Sequence, residues 1–418
     1  MATAQKDGSM KAACPYCGNN PVPHRLYWYE ESLNILLTPF RLKLVYNPVS
    51  RFFKDKLFLP FSAALFLPAK LLGIIRLQND PAKCKVRRAQ VLWEEANRRG
   101  IAMSELLLFG RPIDVYVAEK KEISNFKFQI SNKCQRSNVK GQMLVFSGLP
   151  RPKGSDSLWL EMMDDKFLLK QKLLRAGLPV ARGGSVTGMS GALKIFNTID
   201  KPVIVKPRAG SRGRHTTTFV FTEADLRKAV KVAKQLCHWV IVEEQLLGPV
   251  SRATIINGKL AGVLRGDPPQ IVGDGSHTIV ELINIKNAQP HPGVKDIAAD
   301  ASCKVFLSRQ NLTLSAVLEK GRTVNLTEKI GVNYGGSSSE DFEICHPDNK
   351  DLFLRAAEAV GDPIVGFDFI IPDIAASWKN QKCGFIEANS LPFINLHHDP
   401  LLGKPRNAAA LVWDMLGW

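Results

Sequence analysis

The chain has 418 residues, of which 56 are Lys or Arg and 39 Asp or Glu, giving a formal net charge of +17; 45% of residues are hydrophobic and 23% charged. That apolar share excludes a disordered chain, and the lack of several long uncharged apolar runs excludes a polytopic membrane protein. The excess of cations favours anionic partners, and the length suits about two or three domains.

Met1 to Ala13 is polar and reads as a flexible tail with no secretory signal. The eight cysteines are scattered, which reads as reduced thiols of a cytoplasmic chain. Cys14-Pro-Tyr-Cys17 has the spacing of a dithiol redox pair, but no strand precedes it and no helix pattern follows it. Read as a structural zinc site, Cys14 and Cys17 need two further ligands, and His24 and Cys84 are the nearest candidates. Unliganded thiols are the other reading. Over half of the charge excess lies in residues 1–100, with sixteen basic and seven acidic residues.

Leu57–Ile75 is the most apolar run, interrupted by Pro60, Pro68 and Lys70. It is expected to pack in a core or subunit contact; peripheral membrane contact and a true span are the alternatives. Lys83–Arg99 predicts a basic amphipathic helix. Ile113–Ala118, Phe126–Ile130 and Met143–Phe146 predict strands of a small α/β unit ending near Pro150. Asp164 or Asp165 caps a predicted helix over Lys166–Ala176 that ends at Gly177. Strands are expected at Pro202–Pro207, His215–Phe221 and Trp239–Glu244, with a helix over Glu223–Leu236. Asn257-Gly258 predicts a hairpin. Gly366–Ile371 and Gly384–Ala388 predict paired strands, and Asn407–Leu416 the last helix.

Two segments carry chemistry. Lys206 to Arg214 (KPRAGSRGR) delivers a lysine from a strand into a glycine-containing loop with three arginines. Glycines let backbone N–H groups approach an anion, and the cations neutralise it. The loop lacks the GxxxxGK[ST] pattern, so it is a different nucleotide device. Downstream, GFDFIIPD and KCGFIEANSLP place Asp368 on one strand and Glu387 and Asn389 on another, two apart and so on one face. Three such oxygens suit Mg²⁺.

With both segments present, the chain resembles the ATP-grasp ligases. The likeness runs to the ATP-grasp module of cyanophycin synthetase, shared with the bifunctional glutathione synthetases. It covers roughly Asp164–Leu416 and includes PVIVKPRAGSRGR, VIVEEQLLG, PPQIVGDGSHTIVELI, RQNLTL, GFDFI, FIEANSLP and HHDPLLGKPR. The resemblance implies a mixed α+β and α/β chain with the ATP-grasp fold: two α+β lobes clamping ATP after a divergent N-terminal domain. The expected division is 1–100 for the basic N-terminal region and 101–163 for a small α/β unit. The central lobe then takes 164–246 and the C-terminal lobe with the metal site 247–418.

The resemblance also implies roles. Lys166 and Lys206 grip the ATP phosphates. Ala209, Gly210, Ser211, Gly213 and Arg214 form a phosphate lid. Glu243, Glu244, Gln245 and Leu246 form the hinge that reads adenine. Arg252 and Arg265 face phosphate or substrate. Asp368, Glu387 and Asn389 hold Mg²⁺, for which Mn²⁺ can substitute. The implied activity is ATP-dependent carboxylate–amine ligation through an acyl phosphate, on amino acids or small peptides. A homo-oligomer is expected, and nucleic acid is not a partner. The alternatives are an inactive scaffold and an ATP-dependent phosphotransferase. Val250 stands where the family often has a ribose-binding acid, Phe393 replaces a glycine and Asn395 an arginine.

Overall fold

The computed structural model describes residues 14, 16–17, 21–37, 68, 71–121, 141–152, 165–210, 213–291, 293–327 and 329–418. Met1–Ala13, the expected Phe126–Ile130 strand, Asp164, Ser211 and most of the Leu57–Ile75 run lie outside them. Among the described residues no helix is long and apolar enough to cross a membrane.

Helix α1 (His24–Leu37) comes first. An antiparallel sheet follows, ordered β1 (Ile75–Gln78), β2 (Ala102–Leu108), β3 (Arg111–Lys121) and β4 (Gly141–Ser147). Helix α2 (Arg87–Arg98) repeats its apolar residues at helical spacing, and Val91, Leu92 and Ala96 are buried. This unit takes elements from both sides of residue 100, so the expected division there falls inside one packed unit.

Asp165 caps α3 (Lys166–Arg175) by accepting from the backbone of Phe167 and Leu168. The central lobe is a second antiparallel sheet, ordered β5 (Gly183–Val186), β8 (Val240–Glu244), β6 (Val203–Pro207) and β7 (Thr217–Val220). Helices α4 (Met189–Phe196) and α5 (Glu223–Ala233) cover it with Ala192, Phe196, Leu226 and Val230.

The C-terminal lobe is a six-stranded sheet in the order β15 (Gly384–Asn389), β14 (Ile364–Ile370), β9 (Val250–Ile256), β10 (Lys259–Asp267), β13 (Ser337–Glu340), β16 (Leu402–Gly403). The β9–β10 hairpin turns at Asn257 (φ 49°) and Gly258 (φ 70°), the left-handed pair its sequence predicts. A small subdomain built on β11 (Gln270–Val272), β12 (Thr323–Asn325), α6 (Ile279–Asn287) and α7 (Ala301–Ser308) hangs from this sheet with its own core.

Helix α8 (Pro347–Val360) and α3 pack on one face of the large sheet. Phe353, Phe369 and Phe385 meet there, with centroids 4.8–6.1 Å apart. Tilted contacts of this kind add about 0.5–1.5 kcal/mol each beyond burial. The last helix, α10 (Ala408–Met415), packs on α2, and Trp413 donates its indole N–H to the Leu92 carbonyl at 3.0 Å. Sequence ends distant in the chain therefore share one core.

His397, in the short helix α9 (Asn395–His398), is fully buried. It bridges Glu340 (2.6 Å) and Thr254 (2.7 Å), so it is a strut under the sheet. A side chain at Gly262 would place its Cβ 2.3 Å from His397 Nδ1. Gly262→Ala is therefore expected to cost about 1–3 kcal/mol, read as a lowered midpoint in thermal denaturation. An unchanged midpoint would show that the strut can move aside.

Candidate active site

The site is built from two sheets and one helix. On the C-terminal lobe, strand register sets the acids. Arg252 lies opposite Asp368, and Asp368 opposite Glu387, while Asn389 lies opposite Gly366 one step along. Residues directly opposite in antiparallel strands share a face. Arg252, Asp368, Glu387 and Asn389 thus lie on one face of the sheet. Arg252 forks both oxygens of Asp368, at 2.7 and 2.8 Å. This carboxylate firms the guanidinium charge and pushes Arg252 up from its ordinary value.

Glu387 is different. Among the described residues it makes no hydrogen bond or ion pair. Burial pushes its carboxyl up, Lys166 draws it down, Asp368 adds to the rise, and Arg252 and Lys206 oppose it. Lys166, from α3 packed on the large sheet, and Lys206, from the central sheet, both act on it electrostatically. The Asn389 amide nitrogen is buried without a partner. Turning that amide presents its oxygen instead, since the two orientations are nearly isosteric. An unpartnered half-buried carboxyl, a spare amide and a carboxylate with lone pairs left over fit a hard cation such as Mg²⁺.

The cationic wall comes from the central lobe and α3. Lys206 leaves β6 and pairs with Glu243 at 2.7 Å. Lys170 bonds the other oxygen of Glu243. Lys170 was not among the residues singled out in the sequence. It stands four after Lys166, on the same helix face, which is the signal that could have found it. Burial pushes Lys170 down to about 8, against the pull of Glu243. Burial works to raise Glu243, and Lys170 and Lys206 together overcome it and bring that carboxyl down. Lys166 donates to the Gly210 carbonyl, and Arg208 forks Asp165 at 2.7–3.1 Å. Gly210 has φ +113°, a conformation that favours glycine. Arg214 lies over the ring of Tyr27 from α1, 5.9 Å from its centroid.

The expected hinge is differently engaged. The Glu243 side chain turns to the lysines. Glu244 accepts from the Arg182 backbone (3.0 Å) and pairs with Lys382 (3.0 Å). Gln245 accepts from the Phe219 N–H at 2.6 Å, and Leu246 is buried. Arg265 lies opposite Ser251, one step along from the Arg252–Leu264 pair, so it points to the other face of the sheet. There it pairs with Asp267 (3.2 Å) and Asp341 (3.7 Å), apart from the acids that face the cleft.

No family model matches the chain. In sequence it is 32% identical over 271 residues to cyanophycin synthetase of Crocosphaera subtropica, covering 63% of this chain and 31% of that protein. It is also 32% identical over 267 residues to the glutathione biosynthesis bifunctional protein GshAB of Mannheimia succiniciproducens, covering 61% and 35%. The chain thus spans about a third of the length of these relatives. In structure it overlays on a bifunctional glutathione synthetase from Pasteurella multocida with a TM-score of 0.52 and 24% identity, covering 79% of this chain and 43% of that one. The fold is the ATP-grasp fold, and the sequence resembles the ATP-grasp ligases.

One pH dependence follows from Lys170. As pH rises through about 8 its ammonium is lost, and Glu243 then draws on Lys206 alone. Lys206 becomes less available to an anion, so nucleotide affinity should fall on the alkaline side of pH 8. Lys170→Met should remove that step, as measured by equilibrium nucleotide binding across the range. A step of the same size in the variant would assign it to another group.

Proposed function

We propose, for a chain with the ATP-grasp fold, that it is an ATP-dependent carboxylate–amine ligase that forms an amide or peptide bond. A substrate carboxylate attacks the γ-phosphate of ATP, giving an acyl phosphate and ADP. An amine then attacks the acyl carbon, and phosphate leaves. The observation that carries the reading is electrostatic: Lys206 from the central sheet and Lys166 from α3 both draw on the unpartnered carboxyl of Glu387.

Each residue has a bounded part. Lys166 and Lys206 hold phosphate oxygens as charge moves onto them. Ala209, Gly210, Ser211, Gly213 and Arg214 close over the phosphates. Glu243 stores Lys206 in place before ATP arrives. The side chains of Glu244 and Gln245 are engaged elsewhere, so the hinge backbone at Gln245 and Leu246 is what meets the adenine edge. Asp368, Glu387 and Asn389 would hold Mg²⁺, with Mn²⁺ as a substitute, and the ion supplies charge neutralisation on the phosphates. Arg252 orients Asp368. Arg265 ties β10 to the segment after β13 through Asp267 and Asp341. Little covalent protein chemistry is required, so positioning and charge carry the rate.

The substrates are proposed to be an amino acid or small peptide carboxylate and an amine. Phe393 is about half exposed beside the metal segment and stacks under Arg88 at 5.6 Å. Together with Asn395, it gives this chain a pocket edge unlike its relatives'. A chain acting as a subunit of a homo-oligomer inside the cell fits the reading. The Cys14–Cys17 pair belongs to a second metal site, separate from the magnesium pocket.

Incubation with ATP, Mg²⁺ and pairs of amino acids tests the reading, with ADP release and product mass as readouts. An amide product that requires the amine is expected. A phosphorylated product without amine dependence would make the chain a phosphotransferase, and no ADP from any pair would leave a scaffold. Lys206→Met should lower the rate by about 10²–10³-fold, as for a lost electrostatic donor.

Glu387→Gln should be at least as inactive yet no less stable. The raised carboxyl holds its proton in the folded chain after the unfolded chain has released it. Its stabilisation is full below the ordinary carboxylate range and is lost as pH rises through the raised value. The neutral amide escapes that loss. Metal-free Glu387→Gln should therefore melt at or above the wild-type temperature at neutral pH. A lower melting temperature would remove the buried-carboxyl argument.

A further inference from the structure

Four soft or borderline ligands meet where the N-terminal segment touches the glycine loop. The donor atoms of Cys14, Cys17, His24 and His215 all lie within 4.8 Å of one another. The Cys17 sulfur is 3.2 Å from His24 Nε2 and 3.4 Å from His215 Nε2, and the Cys14 sulfur is 3.5 Å from His215 Nε2. Tetrahedral zinc, with Zn–S near 2.3 Å and Zn–N near 2.0 Å, would separate sulfur from nitrogen by about 3.6 Å. The cluster therefore has the size of a Cys₂His₂ site before any ion is added.

The surroundings hold the ligands in that attitude. His215 Nδ1 donates to the Val232 carbonyl at 2.9 Å, which leaves the Nε2 lone pair facing the sulfurs. Outer partners of this kind fix the tautomer of metal-bound histidines. His215 is fully buried, and it adopts φ +53°, a left-handed conformation rare outside glycine. Its N–H donates to the Tyr16 carbonyl at 3.0 Å, between the two cysteines, and the Cys17 N–H closes a turn on the Cys14 carbonyl at 3.1 Å. Cys84, the fourth ligand suggested by the sequence, is elsewhere: it lies in the N-terminal core, 3.8 Å from the Tyr116 hydroxyl and 3.9 Å from Glu105.

We propose that Cys14, Cys17, His24 and His215 bind one zinc ion, and that the ion pins the N-terminal segment onto the phosphate loop. His215 directly follows Arg214, the last residue of that loop. Helix α1, which begins at the ligand His24, continues the contact. Its Tyr27 lies over Arg214 and against Gly210, its Ser32 hydroxyl accepts from the His238 N–H at 2.9 Å, and its Ile35 packs with Ala209 and Cys237. Binding deprotonates both thiols and releases two protons. Two thiolates and Zn²⁺ leave the site neutral, so it restrains the loop without competing for phosphate. The coupling rests on reading 209–214 as a phosphate loop; the metal site does not.

Metal analysis of the chain purified without chelators tests the site. One zinc per chain is expected, with two sulfur neighbours near 2.3 Å and two nitrogen neighbours near 2.0 Å by X-ray absorption. Uptake of neither zinc nor cobalt from a stoichiometric supply would overturn it, as would full zinc content in the Cys14→Ser, Cys17→Ser double variant. Cys84→Ser should keep its zinc. His215→Ala should lower zinc affinity by more than about 100-fold, beyond the loss expected for an outer partner. Unchanged affinity would exclude His215. For the coupling, zinc removal should weaken ATP binding by about tenfold, on the order of a typical coupling free energy. Equal ATP affinity with and without zinc would overturn it, while leaving the metal site and the ligase reading each to its own test.

Discussion

Glu387 is the point on which the site turns. Its carboxyl is half-buried, is acted on by Lys166 of α3 and Lys206 of the central sheet, and bonds to none of the described residues. A fold that only wanted stability would close such a gap into an ion pair or replace the acid with an apolar side chain. Here Lys166 and Lys206 lie near a carboxyl that pairs with neither, an arrangement that fits a ligand carrying both signs. A metal-bound polyphosphate has that character. Cations meet its oxygens on one side, and carboxylates meet its metal on the other.

The neighbouring pairs keep these groups in place. Arg252 locks Asp368 into one orientation on the sheet. Glu243 sits between Lys170 and Lys206 and so fixes how Lys206 extends from β6. Asp165 both caps α3 and anchors Arg208, which ties the helix bearing Lys166 to the strand bearing Lys206. Each pair is a cost in desolvation that the folded core repays. The gain is a site whose charges need little rearrangement during reaction.

The chain spans about a third of the length of these relatives, and its N-terminal portion is built into the fold. That portion is not an appendage. Its sheet and α2 share a core with the last helix and the large sheet, and α1 lies against the glycine-containing segment at Ala209.

The sequence by itself determined the fold and the polar ends of the cleft. Those features are local: a strand that ends in KPRAGSRGR, a DK capping a helix, and acids two apart on a strand. Hydrophobic period and side-chain alternation place such residues on a face without knowing the partner. What only the tertiary structure decided was pairing at long range. It turned Glu243 onto two lysines, set Arg265 on the reverse face of its strand, made His397 a buried strut, and brought His215 to Cys14 and Cys17 across about two hundred residues of chain. Which cation a buried carboxylate takes, and which histidine completes a pair of thiols, depends on how separate elements dock, and no local spacing encodes that distance.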